Sequence, residues 1–114
     1  MTEVDDNYYA KLDTLYMKLA DAYDKDTVLS KSLDIVAAEE ARAAADEFYI
    51  LHKKTLAVEL QKREGKMSLR YREVTVALGS VRRQITLLKG QIDTMDKRFE
   101  EWRTRNANRR HGLS

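Results

Sequence analysis

Between Tyr71 and Trp102 an apolar or aromatic side chain returns at alternating steps of three and four residues. The positions are Tyr71, Val74, Leu78, Val81, Ile85, Leu88, Ile92, Met95, Phe99 and Trp102. A repeat of 3.5 residues places all ten on one stripe of an α-helix, with Tyr71, Leu78, Ile85, Ile92 and Phe99 at a-type positions and the other five at d-type positions. Such a helix must lie along another helix, because each seam side chain gains roughly 1.5–3 kcal/mol by leaving water. The 114 residues contain no proline, no cysteine and four glycines, and 35% are charged, which fits long helices rather than a sandwich or a doubly wound sheet. The fold class expected is all-α, a long antiparallel helical hairpin of coiled-coil type with a shorter N-terminal third helix.

Read in order, the chain forms one helical domain over 1–114. A first helix is expected over 6–23, where Tyr8, Leu12, Leu15, Leu19 and Ala22 follow the same alternation, with Thr2 or Asp6 as its cap. Tyr9, Tyr16 and Tyr23 form a second stripe beside it, read as packing with wet hydroxyls rather than as a base-stacking surface. The polar run Asp24-Lys25-Asp26-Thr27 is expected to break the chain and cap a second helix over 27–64, seamed by Ala37, Ala41, Ala44, Phe48, Leu51, Thr55 and Val58. Gly65 is expected to reverse the chain in a left-handed conformation, with Ser68 capping a third helix over 69–106 and a basic tail over 107–114. The second and third helices are nearly equal in length, so a tight turn between them makes a hairpin. That fold would bring Glu39, Glu40, Asp46 and Glu47 near the stretch from Arg83 to Arg98.

Charge is divided unevenly. Residues 1–61 hold seven Lys/Arg against thirteen Asp/Glu, and residues 62–114 hold fourteen against six. The halves attract each other, and the basic half can also meet an anionic partner. Arg82, Arg83, Lys89, Lys97, Arg98, Arg103, Arg105, Arg109 and Arg110 are the candidate contacts to nucleic acid or to a partner protein, through phosphates rather than base edges. The competing reading is that several of them pair with the acidic second helix. Gly79 and Gly90, eleven residues apart, fall on nearly one face and either admit a partner backbone or are tolerated surface glycines.

Catalytic chemistry finds little support in these residues. His52 and His111 have no histidine or carboxylate at helical ligand spacing, so no metal site is expected, and His52 reads as a packing residue at the seam edge. No glycine-rich phosphate loop follows a strand, and no cofactor is implied. The stretch Met-Thr-Glu-Val-Asp-Asp is acidic and lacks the apolar core of a secretory signal. No apolar run approaches the ~20 residues that span a bilayer, so a cytoplasmic protein without a membrane partner is expected.

Several short motifs resemble those of small all-helical coiled-coil proteins of tailed bacteriophages. They are the run Glu39-Glu40-Ala41-Arg42-Ala43-Ala44-Ala45-Asp46, the pair Gly65-Lys66, the stretch Arg70-Tyr71-Arg72-Glu73, the Val-Arg-x-Gln-Ile-x-x-Leu pattern from Val81 to Leu88, and Gln91-Ile92-Asp93. The resemblance implies a host bacterial cytoplasm and a host or phage protein as partner. More distantly the architecture is similar to Gam-type nuclease inhibitors, although no Gam motif is present and no residue role transfers.

The function expected is therefore that of a non-enzymatic helical interaction protein, with a non-sequence-specific nucleic-acid accessory role as the alternative. Self-association is expected as well, most simply as a dimer. An N-terminal helix of 6–23 is too short to cover the far end of the second helix. That leaves Tyr49, Ile50, Leu56, Ala57, Leu60, Leu69 and Val76 as an uncovered apolar patch.

Overall fold

The computed structural model describes residues 6–110, so the expected Thr2 cap and the tail residues His111 and Gly112 lie outside the described residues. Three helices are present among the described residues: α1 (Asp6–His52), α2 (Val58–Met67) and α3 (Leu69–Arg110). The fold is an all-α helical hairpin with a shorter third helix, and the short helix is the middle one rather than the first. The chain divides into two compact units, residues 6–23 with 83–110, and residues 24–82.

The seam of α3 is where its spacing puts it. Leu78, Ile85, Leu88 and Ile92 are buried and the other six seam residues half-buried, while nearly every residue between them is exposed. The seam of α1 begins as expected with Tyr8, Leu12, Leu15, Leu19 and Ala22, all buried or half-buried.

The expected break at Asp24–Thr27 does not occur. α1 runs without interruption for 47 residues, and its alternation of three and four continues through Asp26, Leu29, Leu33 and Val36. The polar run contains no glycine or proline to stop a helix. Asp26 is a polar residue at a seam position, half-buried, whose carboxylate accepts hydrogen bonds from Arg82 Nε and from the Ser30 hydroxyl, both at 3.1 Å. A single polar seam residue with a fixed partner sets the register of a helix pair.

The expected second helix over 27–64 is likewise two helices in the structure. α1 ends at His52 and the chain reverses over 53–57. Lys53 takes the left-handed conformation (φ 53°), and its amide donates to Tyr49 O at 2.8 Å, closing the last turn. Glycine usually occupies this place, because only glycine adopts positive φ without a Cβ cost. The seam continued past Phe48 therefore fails, with Leu51, Thr55 and Val58 all exposed. Leu56 turns inward and is buried, and its carbonyl accepts from Gln61 Nε2 at 2.6 Å.

Gly65 is consequently not a reversal residue. It lies inside α2, buried against α1, where an added Cβ would collide with the Ala37 carbonyl and stand 3.2 Å from the Ala41 Cβ. Two alanines on α1 and one glycine on α2 let the backbones approach closely. Ser68 does cap α3 as expected. Its hydroxyl accepts from the Tyr71 amide at 3.1 Å and donates to Gly65 O at 3.0 Å, and this one extended residue separates α2 from α3.

With the reversal placed earlier in the chain, the charge pairing shifts too. Glu39 and Glu40 meet Arg70 in two 3.1 Å ion pairs. α3 also extends four residues beyond the expected limit of 106, so residues 107–110 are helix rather than tail.

Candidate interaction surfaces

Within the unit of residues 6–23 and 83–110, two antiparallel helices share one seam. Tyr8 stacks on Phe99 (centroids 5.7 Å apart), Phe99 stacks on Trp102 (6.1 Å), and the Tyr8 hydroxyl donates to Met95 O at 3.3 Å. Burial, with Asp96 and the neighbouring Tyr9 and Tyr16 adding to it, raises the Tyr8 hydroxyl above its ordinary pKa. N-terminal α1 thus packs on C-terminal α3. The expected fold-back of a separate first helix onto a second helix is not what the chain does, because no break frees it.

The flanks of this seam differ chemically. On one side stand Tyr9, Tyr16 and Tyr23, each about half exposed. Tyr9 meets Tyr8 edge-on at 5.3 Å, and the Lys89 ammonium lies 5.5 Å from the Tyr23 ring centroid. Contact with the Tyr23 hydroxyl raises the Lys89 pKa. The stripe thus lies along the seam edge with its rings about half in water, and a cation sits against Tyr23.

On the other side lies an open groove of about 910 Å3 between α1 and α3. Its cations are Lys11, Lys18 and Arg98, and its apolar lining includes Leu15, Leu87 and Met95; no Asp or Glu is among its described lining residues. Thr14 and Thr94 also line it, but each donates its hydroxyl hydrogen to its own helix backbone, to Ala10 O and Gly90 O at 2.9 Å. Besides the charged donors Lys11, Lys18 and Arg98, the side-chain amides of Asn7 and Gln91 line it. Gly90 opens onto this groove, and a Cβ there would meet nothing within 4 Å.

Within the unit of residues 24–82 the apolar surface is concentrated around the 53–57 reversal. Tyr49, Ile50, Leu51, Val58, Leu60, Met67 and Leu69 are 46–68% exposed, and Val76 is 64% exposed. Of the seven residues expected to form an uncovered patch, Tyr49, Ile50, Ala57, Leu60, Leu69 and Val76 are exposed, whereas Leu56 belongs to the core at 8%. Leu51, Val58 and Met67 join this exposed set, although the expected seam through 27–64 places the first two inside it. His52 is exposed, with its ring 4.6 Å from that of Phe48 at the end of α1.

The candidate basic contacts do not share a face. Numbered from the α3 seam, Arg82, Lys89, Arg103 and Arg110 fall on one flank and Arg98 and Arg105 on the other. Arg83 and Lys97 lie on the outer line and Arg109 on the seam line. Arg82 is paired with Asp26 and Arg103 with Glu100 at 3.2 Å, while Lys89 sits over Tyr23. Arg98 is the one that reaches the groove. Gly79 is half-buried and Gly90 exposed, so the two glycines are not equivalent.

No group of three or more His, Cys, Asp or Glu side chains among the described residues is arranged to hold a metal ion. No described helix is long and apolar enough to cross a membrane. Comparison with family models, with curated proteins and with solved structures returns no match for this chain.

Asp26 supplies a pH-dependent element. The hydrogen bond from Arg82, together with that from Ser30, holds its carboxyl below the usual aspartate value of 3.8. The folded chain then binds that proton less readily than the unfolded chain. Asp26 stabilises the fold above the ordinary value, and that contribution disappears as pH falls through the lower folded value. Thermal melts between about pH 6 and about pH 2 should show this loss on the acid side. Asp26→Asn should flatten that decline, and an unchanged slope in the variant would contradict the pairing.

Proposed function

We propose that this chain is a non-enzymatic, self-associating helical interaction protein whose copies meet through the unit of residues 24–82. The observation that carries the reading is a mismatch of apolar surface. Between Tyr49 and Leu69, seven large apolar side chains stand in water while Leu56 alone is buried. Exposed apolar residues scattered singly are ordinary, but a concentration of this kind marks an interface. A two-fold pair of reversal ends would close into a four-helix arrangement and bury them.

The exposure of the polar and charged side chains among the described residues supports a binding role over catalysis. No described polar or charged side chain is buried, and catalytic groups act best where water is excluded. The likeness to small phage proteins supports a host or phage protein as the further partner.

Sedimentation equilibrium at micromolar concentration tests the self-association. The wild type should give a species heavier than the 13.3 kDa chain. The double variant Ile50→Glu/Leu60→Glu should return to 13.3 kDa with its helicity kept, because both residues are exposed in the single chain. A wild-type species of 13.3 kDa would refute the reading.

A further inference from the structure

The groove between α1 and α3 in the unit of residues 6–23 and 83–110 has a chemistry of its own. Lys11 and Lys18 stand two turns apart on α1, about 10.5 Å along the helix axis, and Arg98 lines the opposite wall. Three like charges share one groove with no carboxylate in its described lining, so an anionic occupant relieves their mutual repulsion. The groove is also apolar. Leu87 is 69% exposed on its wall, with the half-buried seam residues Leu15 and Met95 at its floor. A phosphate chain would satisfy the cations and leave these side chains wet.

A second copy placed groove to groove about a two-fold axis would set six cations against one another, which excludes that pairing. We infer that this groove is a docking site for an acidic amphipathic helix, its apolar stripe on Leu15, Leu87 and Met95 and its carboxylates toward Lys11, Lys18 and Arg98. Helix-in-groove recognition of this kind reads apolar anchors at i, i+3, i+4 and i+7, with charge at the rim setting specificity. Gly90 leaves the wall open where a third helix would approach. This deepens the reading of the chain as an interaction protein. It uses a surface distinct from the one proposed for self-association.

The test uses a fluorescent synthetic helical peptide with a leucine stripe edged by glutamates, a twin edged by lysines, and a mixed-sequence DNA duplex, with binding read as anisotropy on the full chain. The glutamate peptide should bind and the lysine twin should not. Lys11→Glu/Lys18→Glu/Arg98→Glu should weaken that binding about tenfold or more. Leu87→Ser should weaken it severalfold, and raised salt should weaken it further. Arg103→Gln, on the opposite flank, should leave it unchanged.

All the substituted side chains are exposed, so circular dichroism of each variant should match the wild type. Equal binding of both peptides, no binding of either, or no loss in the triple variant would overturn the assignment. DNA binding that falls in the triple variant while the glutamate peptide fails to bind would give the groove to phosphates. A triple variant that sediments as a monomer from an associating wild type would give it to a second copy. Failure of self-association would instead appear as a monomeric wild type, whatever the peptide result.

Discussion

Ile85→Asp should cost about 4 kcal/mol or more and abolish the cooperative melt of the protein. Ile85 is 7% exposed, in the middle of the α3 seam and one turn from Leu88. A two-helix hairpin has a core one side chain thick, so each buried seam residue carries a large share of what holds the helices together. The aspartate at seam position 26 is tolerated because Arg82 and Ser30 hydrogen-bond to it. At position 85 a carboxylate would replace a buried aliphatic side chain and lose its hydration. Glu101→Lys, at an exposed position one residue from the seam, should change stability by no more than about 0.5 kcal/mol. Comparable losses from the two changes in a circular dichroism melt would contradict the seam.

The second large effect concerns Gly65. Gly65→Leu should destabilise the chain by about 2–4 kcal/mol, because the side chain would be forced into the Ala37 carbonyl and the Ala41 side chain. Gly65→Ala should cost less, since alanine recovers about 1 kcal/mol of helix propensity. Gly90→Ala meets no obstacle and should gain about 0.5–1 kcal/mol. Gly65→Asn separates two explanations. A left-handed turn residue accepts asparagine readily, whereas a helix-to-helix contact does not. Urea melts in which Gly65→Asn matched the wild type would restore a turn at Gly65.

The two seams were legible because a 3.5-residue repeat is a property of residue type and spacing alone. It correctly marks Tyr8 to Ala22 and Tyr71 to Trp102 as inward-facing. Continuity of α1 was legible in principle: the spacing runs on through Asp26, Leu29, Leu33 and Val36, and no glycine or proline interrupts it. The polar run resembles a cap because a carboxylate at a seam position looks like a boundary until its partner Arg82 is known, and Arg82 is 56 residues away.

The reversal at 53–57 was not legible. Lys53 is a lysine in a glycine's conformation, and nothing in residue type announces it. Gly65 reads as a turn residue in the sequence, since a glycine needed for close approach and one needed for positive φ look alike there. Most of the expected patch is indeed on the surface. Leu56 points inward because the 53–57 reversal sets its direction, and residue type does not announce that reversal. The groove needed both helices in register before Lys11, Lys18 and Arg98 could be seen to share it.

Self-association through the reversal end is tested most directly by one spin label per chain. The protein has no cysteine, so Lys54→Cys, at an exposed position in the 53–57 connection, carries the only nitroxide. A single label per chain gives a dipolar distance only when two chains meet. A resolved inter-label distance is expected at micromolar concentration, lost when Ile50→Glu/Leu60→Glu is added. A featureless background decay for the otherwise unaltered protein would contradict it.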